Sequence, residues 1–111
     1  MGRLVSDHAV AGQPLVLTYT PAAGTTAILK AAQASVKVSV TAVSGEMTID
    51  GLQGGPLREK IEVPAGAGDR ILLNIPSEGI VASGVDIPLV MTVPNLNVGI
   101  AGWMVADDAS G

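Results

Sequence analysis

Apolar and polar residues alternate with a period of two along most of this chain, the spacing of strands with one dry and one wet face. Residues 36–42 carry the pattern most plainly, with Val36, Val38, Val40 and Ala42 on one face and Lys37, Ser39 and Thr41 on the other. The same alternation runs through residues 15–20, 46–49, 60–63, 70–75, 85–93 and 98–105. Glycine and proline clusters separate the runs, at 21–24, 44–45, 54–56, 64–68, 76–79, 83–84 and 94–95. Short strands at such regular intervals predict an all-β protein, an antiparallel two-sheet sandwich of about eight strands. Its expected core holds Val36, Val38, Val40, Ile71, Leu73, Ile75, Leu89 and Met91.

Residues 25–34 fit two elements. Their alanine, leucine, lysine and glutamine content suits a helix capped by Thr25 or Thr26. A lone helix of that length needs an apolar stripe, and this stretch is mostly alanine, so the strand reading is preferred. Residues 1–12 show no alternation and are expected to form a flexible arm. Residues 13–106 then form the sandwich, and 107–111, with Asp107 and Asp108, a polar tail.

Both faces of the last two alternating runs are apolar. Val90 lies opposite the Leu89–Met91 face, and Trp103 and Val105 lie opposite Ile100 and Met104. A strand apolar on both faces must be covered on both, by its own chain or by a partner. Trp103 shares its face with Gly99 and Ala101, small neighbours that leave room for a partner's side chain, and tryptophan is enriched at binding hot spots. Trp103, Val105 and Val90 are therefore candidate interface residues, together with Leu4 and Val5, the apolar pair of the arm.

With 111 residues, the chain can bury one sizeable core. Aromatic residues number only two, Tyr19 and Trp103, which argues against sugar-stacking and base-stacking platforms. A net charge of −4 is a poor basis for binding nucleic acid. No cysteine is present, which removes disulfides, thiolate metal sites and a cysteine nucleophile. Residues 87–106 lack charge over the length of a membrane span, but Pro88, Pro94, Asn95 and Asn97 make them a poor helix. No membrane partner is expected. Met1-Gly2-Arg3-Leu4-Val5-Ser6 meets the formal myristoylation pattern, a match that chance often supplies, and Asp7 and His8 interrupt any signal-peptide core.

No constellation of catalytic groups stands out. His8 is the one histidine, and beside Asp7 it makes neither a metal site nor a triad. The acidic pairs Glu59/Glu62 and Asp107/Asp108 lack the spacing of a calcium loop. Glycine-rich 54–56 and 66–69 lack the spacing of a phosphate loop and read as turns. The expectation is a protein that is not an enzyme and has no catalytic residue, metal or cofactor.

Particular phrases carry a family resemblance. Thr20-Pro21-Ala22-Ala23-Gly24-Thr25-Thr26-Ala27-Ile28-Leu29-Lys30 resembles the opening strand of small virion proteins of tailed phages. Val63-Pro64-Ala65-Gly66-Ala67-Gly68-Asp69-Arg70-Ile71 and Ile80-Val81-Ala82-Ser83-Gly84-Val85-Asp86-Ile87 resemble two of their turns, and residues 97–105 their closing strand. The likeness spans roughly residues 14–106 and is greatest to capsid decoration, or staple, proteins of the epsilon-fifteen type. It implies a jelly-roll sandwich on the capsid exterior of a virion, made in the host cytoplasm. Its implied partners are the major capsid protein, whose neighbouring copies it would clamp, and a second copy of itself. A tail or head-fibre adaptor, and a carbohydrate- or ligand-binding sandwich, are the alternatives.

Overall fold

A computed structural model describes residues 2–73 and 82–110. Eight strands occupy them: β1 (Gly2–Ala9), β2 (Leu15–Tyr19), β3 (Thr25–Val36), β4 (Val43–Asp50), β5 (Leu57–Val63), β6 (Asp69–Leu72), β7 (Leu89–Val93) and β8 (Ile100–Ser110). They form two antiparallel four-stranded sheets, ordered β1-β8-β3-β6 and β2-β7-β4-β5. Apart from the β4–β5 hairpin, each successive strand lies in the opposite sheet. This wrapping, with the first and last strands side by side, is that of a jelly roll.

The core lies between the sheets. Leu15, Leu17 and Tyr19 of β2, Met47 and Ile49 of β4, Ile61 of β5, Leu89 and Met91 of β7, and Ile100 and Met104 of β8 are all buried. Gly102 of β8 also points inward, where a Cβ would come within 2.9 Å of Leu15 Cδ2 and 3.1 Å of Met91 Cε. Gly51, at φ +98°, turns the chain after β4 so closely that a Cβ would collide with the Pro88 carbonyl.

Residues 25–34 are strand, with no helical turn. Their alternation contains a break: Ala27 and Leu29 face the core, and so do Ala32, Ala34 and Val36. A bulge between Leu29 and Ala31, with Lys30 as the extra residue, shifts the register against β8 and resets the parity. Near this bulge, buried Ser83 ties a loop to β3. Its Oγ accepts from Ala27 N–H (2.8 Å) and donates to Gly84 C=O (2.9 Å), which satisfies both groups.

Three expectations are corrected. Residues 2–9 are not an arm but an eight-residue strand, paired without interruption to β8 from Gly2↔Asp107 to Ala9↔Ile100. Nor are residues 107–110 a tail, since β8 continues through them against Thr25 and its neighbours in β3. Finally, 36–42 is not a strand. β3 ends at Val36, and Val38 and Val40 are 68% and 93% exposed. The register with β8 closes at Lys37, whose N–H meets Gly99 C=O at 2.9 Å. Ser39 Oγ then accepts from Thr41 N–H, a local bond that competes with ladder pairing.

Of the expected core, Val36, Leu73, Leu89 and Met91 are buried. The side chain of Ile71 and the whole of Ile75 lie outside the described residues. β7 begins at Leu89 rather than Val85, because Asp86 turns at φ 61° and leaves Val85 and Ile87 exposed.

Candidate interaction surface

β8 sits between β1 and β3, so its outward residues form the middle of an open sheet face. Ile100, Gly102, Met104 and Ala106 point inward, which leaves Ala101, Trp103, Val105 and Asp107 pointing out. Strand register sets three rows across this face: Leu4–Val105–Ala31, Ser6–Trp103–Gln33 and His8–Ala101–Ser35. Leu4 is 64% exposed, and Val105 and Trp103 are half-buried among their neighbours. Next along the sheet, Lys30 Nζ pairs with Asp107 Oδ2 at 3.7 Å, a charged margin to the apolar rows.

The five interface candidates therefore separate. Leu4, Val105 and Trp103 come together on one face. Val5 has the opposite parity and packs against the core, which corrects its place among surface residues. Val90 is half-buried in β7, opposite Thr18 of β2, on the outer face of the other sheet.

At one end of the three rows, where β1 leaves and β8 begins, lies an open groove of about 510 Å³. Ala9, Val10, Val36 and Ile100 line it, with His8 and Lys37 at its rim. His8 is 81% exposed beside Asp7, and its Nδ1 lies 3.9 Å from Asp7 Oδ1. Among the described residues, no three acidic or histidine side chains converge as metal ligands.

At the opposite end is a polar cluster that sequence reasoning missed. Arg3 reaches from β1 across the sheet gap to β2, where its Nε donates to Tyr19 Oη (3.0 Å) and its Nη2 to Thr20 C=O (3.2 Å). Nη2 also meets both carboxylate oxygens of Asp108 at 3.1 Å. Tyr19 Oη in turn donates to Asp108 Oδ1 at 2.8 Å, and the guanidinium lies 4.6 Å from the tyrosine ring centre. The Tyr19 hydroxyl, and then Arg3, hold the Asp108 carboxyl below its ordinary range. Burial, together with the hydrogen bond to Asp108, raises the tyrosine pKa. Three strands are thus fastened at one point: β1, β8 and, from the facing sheet, β2.

The acidic pairs resolve accordingly. Asp108 belongs to this clamp rather than to a solvated tail, and Glu62 forms an exposed 2.9 Å ion pair with Lys60. Arg3 and Asp108 are separated by 105 positions in the chain, so no local motif could have linked them.

Fold and surface together define a class: a jelly-roll β-sandwich with an open, apolar-centred sheet face. No family model matches the sequence, and neither does any curated protein. Among solved structures, the chain is similar to one described as "CBM4 structure and function", at 14% identity and a TM-score of 0.39. That match covers 94% of this chain and 80% of the other. No helix among the described residues is long and apolar enough to cross a membrane.

Proposed function

We propose that this protein is a non-enzymatic structural component of a tailed-phage virion. In this role it binds the outer surface of the capsid and clamps neighbouring copies of the major capsid protein. The observation that carries this reading is the row Leu4–Val105–Ala31, with Trp103 beside it, on a sheet face that no other element of the described chain covers. An apolar centre with a polar and charged margin is the usual anatomy of a protein contact. Such a patch on a domain this small gives a weak single contact. Repetition over an icosahedral shell turns weak contacts into firm attachment through avidity. The family resemblance of the turn phrases supports the same assignment.

The test is reconstitution with shells of the major capsid protein encoded nearest in the same genome. Co-sedimentation should saturate at a fixed ratio of this protein to capsid subunits. Trp103→Ala and Leu4→Asp, checked for folding by circular dichroism, should each weaken binding by the hot-spot threshold of about 2 kcal/mol. A protein that ignores the shell but binds tail or fibre proteins would move the assignment to an adaptor. Retention by polysaccharide gels without shell binding would replace it with a ligand-binding module.

A further inference from the structure

The four sheet edges are not equally protected. β5 presents Arg58, Glu59, Lys60 and Glu62 along seven residues, alternating charges that discourage strand addition. β2 has only five residues and is bracketed by Pro14 and Pro21. β6 has four. β1, by contrast, runs for eight residues with neither proline nor lysine, and its register to β8 contains no bulge. Among the described residues, β8 is its single sheet neighbour.

The hydrogen-bonding phase of the sheet shows which backbone groups of β1 are open. Because Lys37 N–H donates to Gly99 C=O, the odd-numbered residues of β8 bond toward β3, and the even-numbered ones toward β1. Their partners in β1 are Arg3, Val5, Asp7 and Ala9. The amides and carbonyls of Gly2, Leu4, Ser6 and His8 therefore point to the free edge. In agreement, His8 N–H has turned to a side chain, Asp7 Oδ1, at 2.7 Å.

We propose that β1 pairs antiparallel with β1 of a second copy about a two-fold axis at Val5, joining the two β1-β8-β3-β6 sheets into one sheet of eight strands. Charge complementarity selects both the occupant and the register. With Val5 opposite Val5 of the second copy, Arg3 stands opposite Asp7 on the same face, twice by symmetry. Leu4 stands opposite Ser6 as a pair that exchanges both backbone bonds. Gly2 stands opposite His8, whose N–H leaves Asp7 Oδ1 to join the new ladder as that carboxylate turns to Arg3 of the second copy. A shift of two residues either way sets Arg3 against Ala9 or Val5 and loses both ion pairs. Arg3 uses Nε and Nη2 inside its own chain, which leaves Nη1 to offer to the second copy. An interface of this kind is self-complementary and closes at two subunits. It would also place the two Leu4–Val105–Trp103 patches side by side, although the pairing does not depend on what those patches bind.

The test uses the whole protein. Light scattering and sedimentation across the micromolar to millimolar range should show a monomer–dimer equilibrium. Ser6→Pro removes an edge-facing N–H without touching the ladder to β8. It should leave the circular dichroism spectrum intact and weaken the dimer at least tenfold. Asp7→Lys should weaken it at least tenfold as well. Since the chain has no cysteine, Val5→Cys gives a clean readout of register: it should form an oxidised dimer rapidly, and faster than Leu4→Cys. A protein that stays monomeric, a dimer unaffected by folded Ser6→Pro, or faster crosslinking of Leu4→Cys would each overturn the proposal. Shell binding is measured separately, so a monomer that still binds shells would sink the dimer and leave the capsid reading standing.

Discussion

Residues 2–9 and residues 37–42 make an instructive pair. The second has the sequence of a strand and is a loop, whereas the first reads as an unpatterned arm and is a strand. Alternation is a statement about which side chains would share a face if the backbone were extended. It does not supply a neighbour. β1 has one: β8 runs beside all eight of its residues, and the Arg3–Tyr19–Asp108 cluster fixes its end. Past Lys37 the β8 ladder has ended, and valines at 38 and 40 point into solvent. Pairing partners, more than local pattern, decide which stretches become strands in a sandwich of this kind.

The contrast can be broken most severely by removing residues 2–9. This strips β8 of a neighbour and uncovers the core beside Val5 and Ala9. The expected outcome is loss of a cooperative thermal transition, checked by calorimetry. Deleting a dispensable arm would leave the transition where it was.

Next in size is a matched pair of charges. Val5→Asp puts a carboxylate against the core and should cost about 1–3 kcal/mol in urea unfolding. Val38→Asp adds the same carboxylate to solvent and should stay within about 0.5 kcal/mol of the parent. Equal losses at the two sites would remove the distinction.

Smaller, and specific to the end of β1, is the effect of Tyr19→Phe. It removes the hydroxyl that links Arg3 to Asp108 and should lower stability by about 1 kcal/mol. The clamp also sets a pH window. The Asp108 pKa is depressed on folding, so its contribution is present above the ordinary carboxylate value near ~4 and is lost as pH falls through the depressed value. The Tyr19 pKa is raised, so its contribution is complete below ~10 and is lost as pH climbs through the raised value. Melting temperature against pH should flatten at the acid end in Asp108→Asn and at the alkaline end in Tyr19→Phe. Unchanged profiles would show that the cluster does not hold the strand.

Much of the architecture was legible in the residues. The two-sheet arrangement and the outward side of Trp103 follow from parity and turn spacing, because those strands are half-buried and carry the imprint of the core. The strand at 25–34 follows instead from the lack of an apolar stripe for a helix. β1 left no such imprint. Its edge position lets Arg3, Ser6, Asp7 and His8 stay wet on both faces, so Leu4 and Val5 sit adjacent without alternating. The extension of β8 was hidden for a related reason, since Asp107 and Asp108 look like a solvated terminus until Lys30 and Arg3 are brought to them. In β3, the bulge at Lys30 changes parity in mid-strand, and alanine on both faces conceals the change. The clamp was beyond sequence reach altogether, because its three members meet only through the pairing of the two ends of the chain.

That pairing has a kinetic consequence. β8 is the central strand that holds both β1 and β3, yet it is the last of the eight to leave the ribosome. Until it arrives, β1 has no ladder partner among the described residues, and β3 has the four residues of β6 and a single bridge from Ile28 to Ala82. Closing a contact between Arg3 and Asp108 across 105 positions also carries a large loop entropy. Completion of this sheet should therefore wait for β8 and be on the slow, millisecond-to-second side for a domain of this size. Throughout that interval β1 stays exposed, free to meet the β8 of another newly made chain before its own.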